Sequence, residues 1–180
     1  MKTRNIFAVL AVLSVGTLAA SAAEETKASG ATGGVPEARV REIDAHVRSV
    51  EAKRTSLTRH ETMLDPATLA KTTDEKWTKL HTYSDGKNVQ RLKVYPTEGS
   101  QKTEEFYYDG NRLMFAFVEP KGVGNEGHDA NAKGTKYYFD KNGLIAVATN
   151  GKLSAPDEKA RAMGEKLQRE SKAFRDAGKK

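Results

Sequence analysis

Three short turn sequences limit the architecture that this 180-residue chain can adopt. In each, an aromatic residue lies within two positions of an aspartate and a glycine-containing turn follows: Tyr83-Ser84-Asp85-Gly86, Tyr108-Asp109-Gly110-Asn111 and Phe139-Asp140-Lys141-Asn142-Gly143. Asp-Gly and Asn-Gly supply the positive φ angles that tight hairpin turns require. Three successive hairpins predict an antiparallel meander of about six strands, and the shared turn pattern indicates a quasi-repeat.

The segments that flank these turns are rich in aromatic and β-branched residues, as strands are. They span residues 77–83, 89–95, 103–108, 112–119, 136–139 and 144–149. The segment 112–119 is apolar on both faces, with one set of side chains expected on each side: Leu113, Phe115 and Phe117 against Met114, Ala116 and Val118. A strand buried on both sides needs cover on both sides, or curvature that closes the sheet.

Amphipathic helices before and after the meander are expected to provide that cover. The first starts near Pro36 and runs over residues 36–58, with one apolar stripe at helical spacing: Val40, Ile43, Val47, Val50 and Leu57. A stripe of this kind indicates packing on the protein's own core, or a partner helix. Between helix and meander, Asp65-Pro66 predicts the capped start of one short helical turn ending near Ala70.

The second helix is expected over residues 155–177. Ser154 is the predicted N-cap, with Pro156 in the first turn and Asp157 in the capping-box position. Its inner face is marked by apolar residues at helical spacing: Ala160, Met163, Leu167 and Phe174. The sequence therefore predicts an α+β domain, an antiparallel meander flanked by an N-terminal and a C-terminal amphipathic helix.

The first residues indicate export. Lys2 and Arg4 form a basic start, residues 6–13 are unbroken apolar sequence, and Ala20-Ser21-Ala22 has the small-x-small pattern that signal peptidase requires. We expect a signal peptide over residues 1–22, cleaved after Ala22 or Ala23, and a flexible Ala/Gly/Ser/Thr-rich linker over 23–34. The α+β domain then spans residues 35–178, and the mature protein is expected in the periplasm or secreted, without a lipid or membrane anchor.

Composition narrows the chemistry that is available to the chain. It contains no cysteine, which excludes disulfides and thiol catalysis. The formal net charge is +6, and loss of Lys2 and Arg4 would leave a mild excess of intermixed positive charge. A protein built for nucleic acid would cluster its basic residues on one face, so nucleic acid is not the expected partner.

Two tyrosine-containing segments resemble a known pattern. Residues 104–109, Glu-Glu-Phe-Tyr-Tyr-Asp, and residues 136–145, Lys-Tyr-Tyr-Phe-Asp-Lys-Asn-Gly-Leu-Ile, are similar to the paired "YYFD-turn-G-L" hairpins of uncharacterised bacterial exported proteins. The resemblance covers roughly residues 77–149 and implies an envelope protein of unassigned activity. The second hairpin also resembles one unit of the aromatic-glycine repeats of choline-binding and clostridial toxin domains, but the following Gly-Trp and the tandem array are missing.

The sequence assigns no catalytic residue, no metal site and no cofactor. The four histidines, His46, His60, His81 and His128, have neither the i, i+4 spacing nor the H-x-H pattern of metal ligands. Asp129, Asn131 and Asp140 approach a calcium-loop pattern, but Lys133 occupies a ligand position. Adjacent Glu104 and Glu105 would face opposite sides of a strand and are interpreted as edge charges that discourage aggregation.

These observations favour an exported, non-enzymatic protein that binds a protein or an envelope polymer. The candidate ligand-binding residues are Tyr108 and Tyr138, on an exposed tyrosine face of the hairpins, with His128 and Asp129 in the Gly-rich loop 120–134. One alternative is a small hydrolase or nuclease that uses His128 with Asp129 or Glu126. Another is an assembly factor that oligomerises through the stripe of the first helix, residues 40–57.

Overall fold

Eight strands form one antiparallel sheet in the computed structural model, which describes residues 34–97, 102–120 and 134–179. Their spatial order is their chain order, so each strand pairs with its neighbours in sequence. The strands are β1 (Thr58–Met63), β2 (Trp77–Asp85), β3 (Asn88–Pro96), β4 (Lys102–Asp109), β5 (Arg112–Pro120), β6 (Thr135–Asp140), β7 (Gly143–Thr149) and β8 (Lys152–Ser154). The helices are α1 (Glu37–Ala52), α2 (Pro66–Leu69) and α3 (Glu158–Ala177), with a 3₁₀ turn at Arg54–Ser56.

The α+β class, the hairpins and the two flanking helices are confirmed, whereas the strand count of about six is too low. The two additional strands lie at the edges of the sheet. β1 begins at Thr58, the residue where the first helix was predicted to end. The helix α1 stops earlier, at Ala52; the Ser56 hydroxyl then donates to the Lys53 carbonyl at 2.8 Å in the 3₁₀ turn, and Leu57 is already extended. β1 is exposed along most of its length, so it has no apolar alternation that would reveal it.

The short edge strand β8 changes the start of the last helix. Asn150 and Gly151, with φ of 51° and 77°, form the turn from β7, and Ser154 pairs with Val147 in the sheet. Ser154 is therefore not the N-cap. Asp157 takes that role, since its side chain accepts a hydrogen bond from the Ala160 amide at 2.7 Å, and α3 begins at Glu158 rather than 155.

The helices cover opposite faces of the sheet, as the two-sided strands predict. On one face, α1 buries its stripe against β4–β7; the buried members of this core are Val40, Ile43, Val47, Val50, Tyr107, Met114, Phe115, Phe117, Tyr138, Ala146 and Ala148. On the other face, α3 packs Leu167 and Phe174 against strands from β2 to β7, around the single tryptophan, Trp77. The helix stripe is thus part of the protein's own core.

A repeated bulge changes which residues share a face. In each predicted hairpin, the register skips one residue near the start of the second strand: Gln90 in β3, Met114 in β5 and Ile145 in β7. Because an extra residue reverses the alternation beyond it, Leu113 joins Ala116 and Val118 on the α3 side, while Met114 lies with Phe115 and Phe117 on the α1 side. The expected division of this strand is therefore wrong at its first two residues, and the quasi-repeat extends to backbone geometry.

Candidate functional site

The α1 side of the sheet has two unlike halves. The half over β4–β7 is apolar and covered by α1, whereas the half over β1–β3 carries charged and polar residues. One cross-strand row runs Glu61, His81, Lys93, Glu105, because each is the register partner of the next. Directly opposed residues of antiparallel strands share a face, so these four side chains lie side by side.

A buried ion cluster forms the inner part of this half. Glu105 lies 2.9 Å from both Arg91 Nη2 and Lys93 Nζ, and Arg91 Nε lies 3.3 Å from Glu51 Oε1 on α1. The Tyr107 hydroxyl lies 3.0 Å from Glu51 Oε1 and 2.9 Å from Glu105 Oε2, close enough to donate to either carboxylate. Arg91, Lys93, Glu105 and Tyr107 are all fully buried.

Electrostatics in this cluster favour the ionised Glu105 carboxylate and the protonated Tyr107 hydroxyl. Burial alone would raise the pKa of the Glu105 carboxyl, but Arg91 and Lys93 outweigh it and hold that pKa below its ordinary value. Burial and the neighbouring Glu105 carboxylate raise the pKa of Tyr107 well above that of a free tyrosine. The opposite charges compensate one another, and the ion pairs connect α1, β3 and β4.

A second set of linked hydrogen bonds lies nearer the β1 edge of the sheet. His81 Nε2 lies 2.8 Å from Glu61 Oε2, and His81 Nδ1 lies 3.1 Å from the Tyr95 hydroxyl. A carboxylate only accepts hydrogen bonds, so His81 donates from Nε2, and in the neutral ring Nδ1 accepts from Tyr95. The hydrogen bond from His81 holds the pKa of Glu61 below its ordinary value. These two hydrogen bonds fix the orientation of the Tyr95 ring.

Around Tyr95 the surface combines aromatic, cationic and apolar groups. Lys79 Nζ lies 4.6 Å from the Tyr95 ring centroid, and Lys79 is the register partner of both Tyr95 and Met63. Met63 is 72% exposed, which is unusual among the large apolar side chains that the structure describes. We call the group Glu61, Met63, Lys79, His81 and Tyr95 the Tyr95 face.

The α3 side holds a second cluster of charged residues, and its inner members, Glu104 and Glu170, are buried. Lys166 Nζ lies 3.3 Å from Asp74 Oδ2 and 3.7 Å from Glu170 Oε1, and Glu170 interacts in turn with Glu104 of β4. Burial raises the pKa of Glu170, although Lys166 opposes the rise. Glu104 and Glu170 are 2% and 0% exposed, so both carboxyl groups lie inside the protein.

A cleft of about 750 Å³ opens beside α2, where Asp65 caps the short helix by accepting from the Ala67 amide at 3.0 Å, as predicted. Its volume is in the range of small-molecule sites. Its polar lining is engaged with the chain itself, however: Thr78 and Thr97 bond to the carbonyls of Pro96 and Lys76, and Asp74 pairs with Lys166. The Tyr95 face is the better candidate, because it presents an oriented aromatic ring beside a lysine and an exposed methionine.

The structure places two of the predicted site residues, Tyr108 and Tyr138, apart from this face. Tyr108 and Tyr138 are 1% and 3% exposed, their hydroxyls donating to the Ser171 carbonyl and to Asp44, so the tyrosine face expected to be exposed is buried. Both rings pack in the cores beneath the helices. His128 and Asp129 lie outside the described residues, so their roles in binding or hydrolysis stay predictions.

Glu104 and Glu105 do face opposite sides, but their interpretation as edge charges is wrong. Both are buried on a central strand and have charged partners in different layers. The sequence did not single out Arg91 and Lys93, which alternate with the apolar Leu92 and Val94 as solvent-facing residues of a strand would. The available signal was the pairing of a basic strand with an acidic one, which becomes informative only once the register is known.

No family model, no curated protein and no solved structure matches the chain. The described residues contain no group of three or more His, Cys, Asp or Glu placed to hold a metal ion. Over the same part of the chain, no helix is long and apolar enough to cross a membrane.

Proposed function

We propose that this chain is an exported, non-enzymatic interaction protein of the bacterial envelope that binds a protein partner through the Tyr95 face. The observation that carries the proposal is the fixed orientation of Tyr95. His81, itself held by Glu61, bonds the Tyr95 hydroxyl, and Lys79 lies over the ring. An aromatic side chain held in place loses little freedom on binding, which is why such residues serve as anchors at interfaces.

The chemistry of the face indicates what it binds. Met63 offers an exposed, adaptable apolar side chain, and the neighbouring Lys79 is half-buried with its ammonium group over Tyr95. A partner that presents an acidic side chain next to an apolar one would pair with Lys79 and cover Met63. The buried ion cluster behind the face, centred on Glu105, joins β3 to β4.

The test is a crosslinked pull-down of the exported chain from its native envelope, read by mass spectrometry. We expect a small set of enriched partners with the unaltered chain and at least a tenfold loss of capture for Tyr95→Ala and for Lys79→Glu, about the effect of removing one interface anchor. Lys87→Glu, at the exposed tip of the β2–β3 hairpin, is the matched control. Equal capture by all four proteins would overturn the role of this face.

Folding must be checked for each variant. Trp77 is fully buried and is the sole tryptophan, so its fluorescence during urea unfolding reports the native core. A Tyr95→Ala chain that folds normally and retains every partner contradicts the proposal.

A further inference from the structure

Among the described residues, β1 is an exposed edge strand whose outer side has no strand partner. Within the described residues it pairs only with β2, and five of its six residues are exposed. Its outer row of backbone N–H and C=O groups can pair with another strand. The strand contains no proline, and six residues are enough to form a regular ladder.

The sequence of β1 is complementary to itself when two copies run antiparallel. If a two-fold axis perpendicular to the sheet passes beside His60, residues equally far before and after His60 stand opposite each other. Arg59 of each copy then faces Glu61 of the other, which gives two opposite-charge pairs. An axis beside Arg59 or Glu61 would instead place two like charges directly opposite each other.

The surrounding contacts fit this register. Arg59 and Glu61 are register partners of Tyr83 and His81, so both lie on the α1 side and can meet across the axis. Glu61 uses Oε2 for His81 and has Oε1 available for an arginine. The same register puts Met63, which is 72% exposed, opposite Leu57, a half-buried apolar residue.

We infer that two copies of this chain associate through antiparallel pairing of their β1 strands, with His60 at the two-fold axis. The two eight-stranded sheets join into one continuous sheet, and both α1 helices lie on the same side of it. The interface closes on itself, as a two-fold arrangement requires. Because one strand pair is small for a protein interface, the dimer is weak, with Kd on the order of micromolar.

Charge exchange tests the register. Sedimentation velocity from about 1 to 500 µM brackets a micromolar Kd and should show a monomer–dimer equilibrium. Arg59→Glu and Glu61→Arg, each alone, should weaken the homodimer about tenfold, since both pairs become repulsive. Mixing the two single variants should form a heterodimer with both pairs restored, and the double variant should return to the original Kd. Arg41→Glu, exposed on α1, is the control and should have no effect.

A cysteine variant tests the position of the axis. The chain has no native cysteine. In His60→Cys, the two introduced thiols would be on residues about 5 Å apart at Cα, within the range for a disulfide. Oxidation should give a covalent dimer, whereas Asp85→Cys at an exposed hairpin end should not. Three results would overturn the inference. The protein could stay monomeric at every concentration, the dimer Kd could be unchanged by both charge reversals, or β1 could pair with β8 to give larger species.

Discussion

Glu104 and Glu105 are neighbours on β4, yet they are buried in different layers of the protein. Glu105 points to the α1 side, 2.9 Å from Arg91 and Lys93, while Glu104 points to the α3 side and interacts with Glu170. Two adjacent residues therefore make buried charged contacts on opposite faces of the sheet. One faces two cations and the other a carboxyl group, so their substitution has different consequences.

Glu105→Gln should lower the free energy of unfolding by about 3–5 kcal/mol, because the buried Arg91 and Lys93 would both lose the carboxylate that lies 2.9 Å from each. Urea unfolding followed by Trp77 fluorescence measures the loss. Glu42→Gln is the control: Glu42 is exposed and pairs with Arg39 at 2.7 Å, and its loss should change stability by less than about 1 kcal/mol. A loss for Glu105→Gln no larger than the control would contradict the buried cluster.

The cluster also predicts an acid dependence. Since the pKa of Glu105 is lower in the folded protein than in the unfolded chain, its contribution is complete above the unfolded pKa and is lost as the pH falls through the folded pKa. Stability curves of the unaltered chain and of Glu105→Gln should therefore converge at acid pH. Parallel curves down to the lowest pH that preserves folding would contradict this sign.

Glu170→Gln should have the opposite effect. The pKa of Glu170 is raised by burial, so the ionised carboxylate destabilises the folded protein. This destabilisation is greatest above the raised pKa. At pH 8 the variant should be more stable by about 1 kcal/mol, a typical size for one substitution. The difference should shrink as the pH falls toward the ordinary value of 4.5. A variant less stable than the original chain at pH 8 would show that Lys166 requires this carboxylate.

The parts of the fold that the sequence predicts are those governed by local rules. The Asp-Gly turns require positive φ, which Gly86 and Gly110 adopt at 58° and 59°, and the apolar stripe of α1 follows helical spacing. β1 was not predicted, because an exposed edge strand needs no apolar alternation. The Met114 bulge was not predicted either, because a single inserted residue leaves the composition of the strand unchanged. It nevertheless reverses which residues beyond it point to each face of the sheet.

The candidate site was harder to foresee, since it depends on register. Lys93 and Arg91 have the local pattern of a solvated strand, and only pairing with β4 shows that Glu105 lies opposite Lys93. Likewise, Glu61, His81 and Tyr95 come from three strands, and no spacing in the sequence relates them. Tyr108 and Tyr138 were expected on an exposed face of the hairpins, but aromatic residues beside a turn fit core packing as well as a binding shelf.

Gly134→Ala tests the close packing at the start of β6. A Cβ on Gly134 would lie 2.5 Å from the Phe117 ring and 2.7 Å from the Val118 carbonyl oxygen, so the strand or the ring must shift. Overpacking of this kind costs about 1–3 kcal/mol, which urea unfolding would detect. Gly34→Ala is the matched control, because nothing lies within 4 Å of its Cβ position. Equal stability of the two variants would show that Phe117 moves at no cost.

Ile43→Ala separates the role of α1 from that of β1. Ile43 is fully buried in the core beneath α1, so its truncation should lower the free energy of unfolding by about 2–5 kcal/mol. The same variant should leave the Kd of self-association unchanged, because the α1 stripe faces its own sheet and β1 forms the dimer contact. Urea unfolding and sedimentation velocity on one sample measure both quantities. If a folded Ile43→Ala chain dissociated into monomers while Arg59→Glu remained dimeric, the apolar stripe of α1 and not β1 would form the dimer contact.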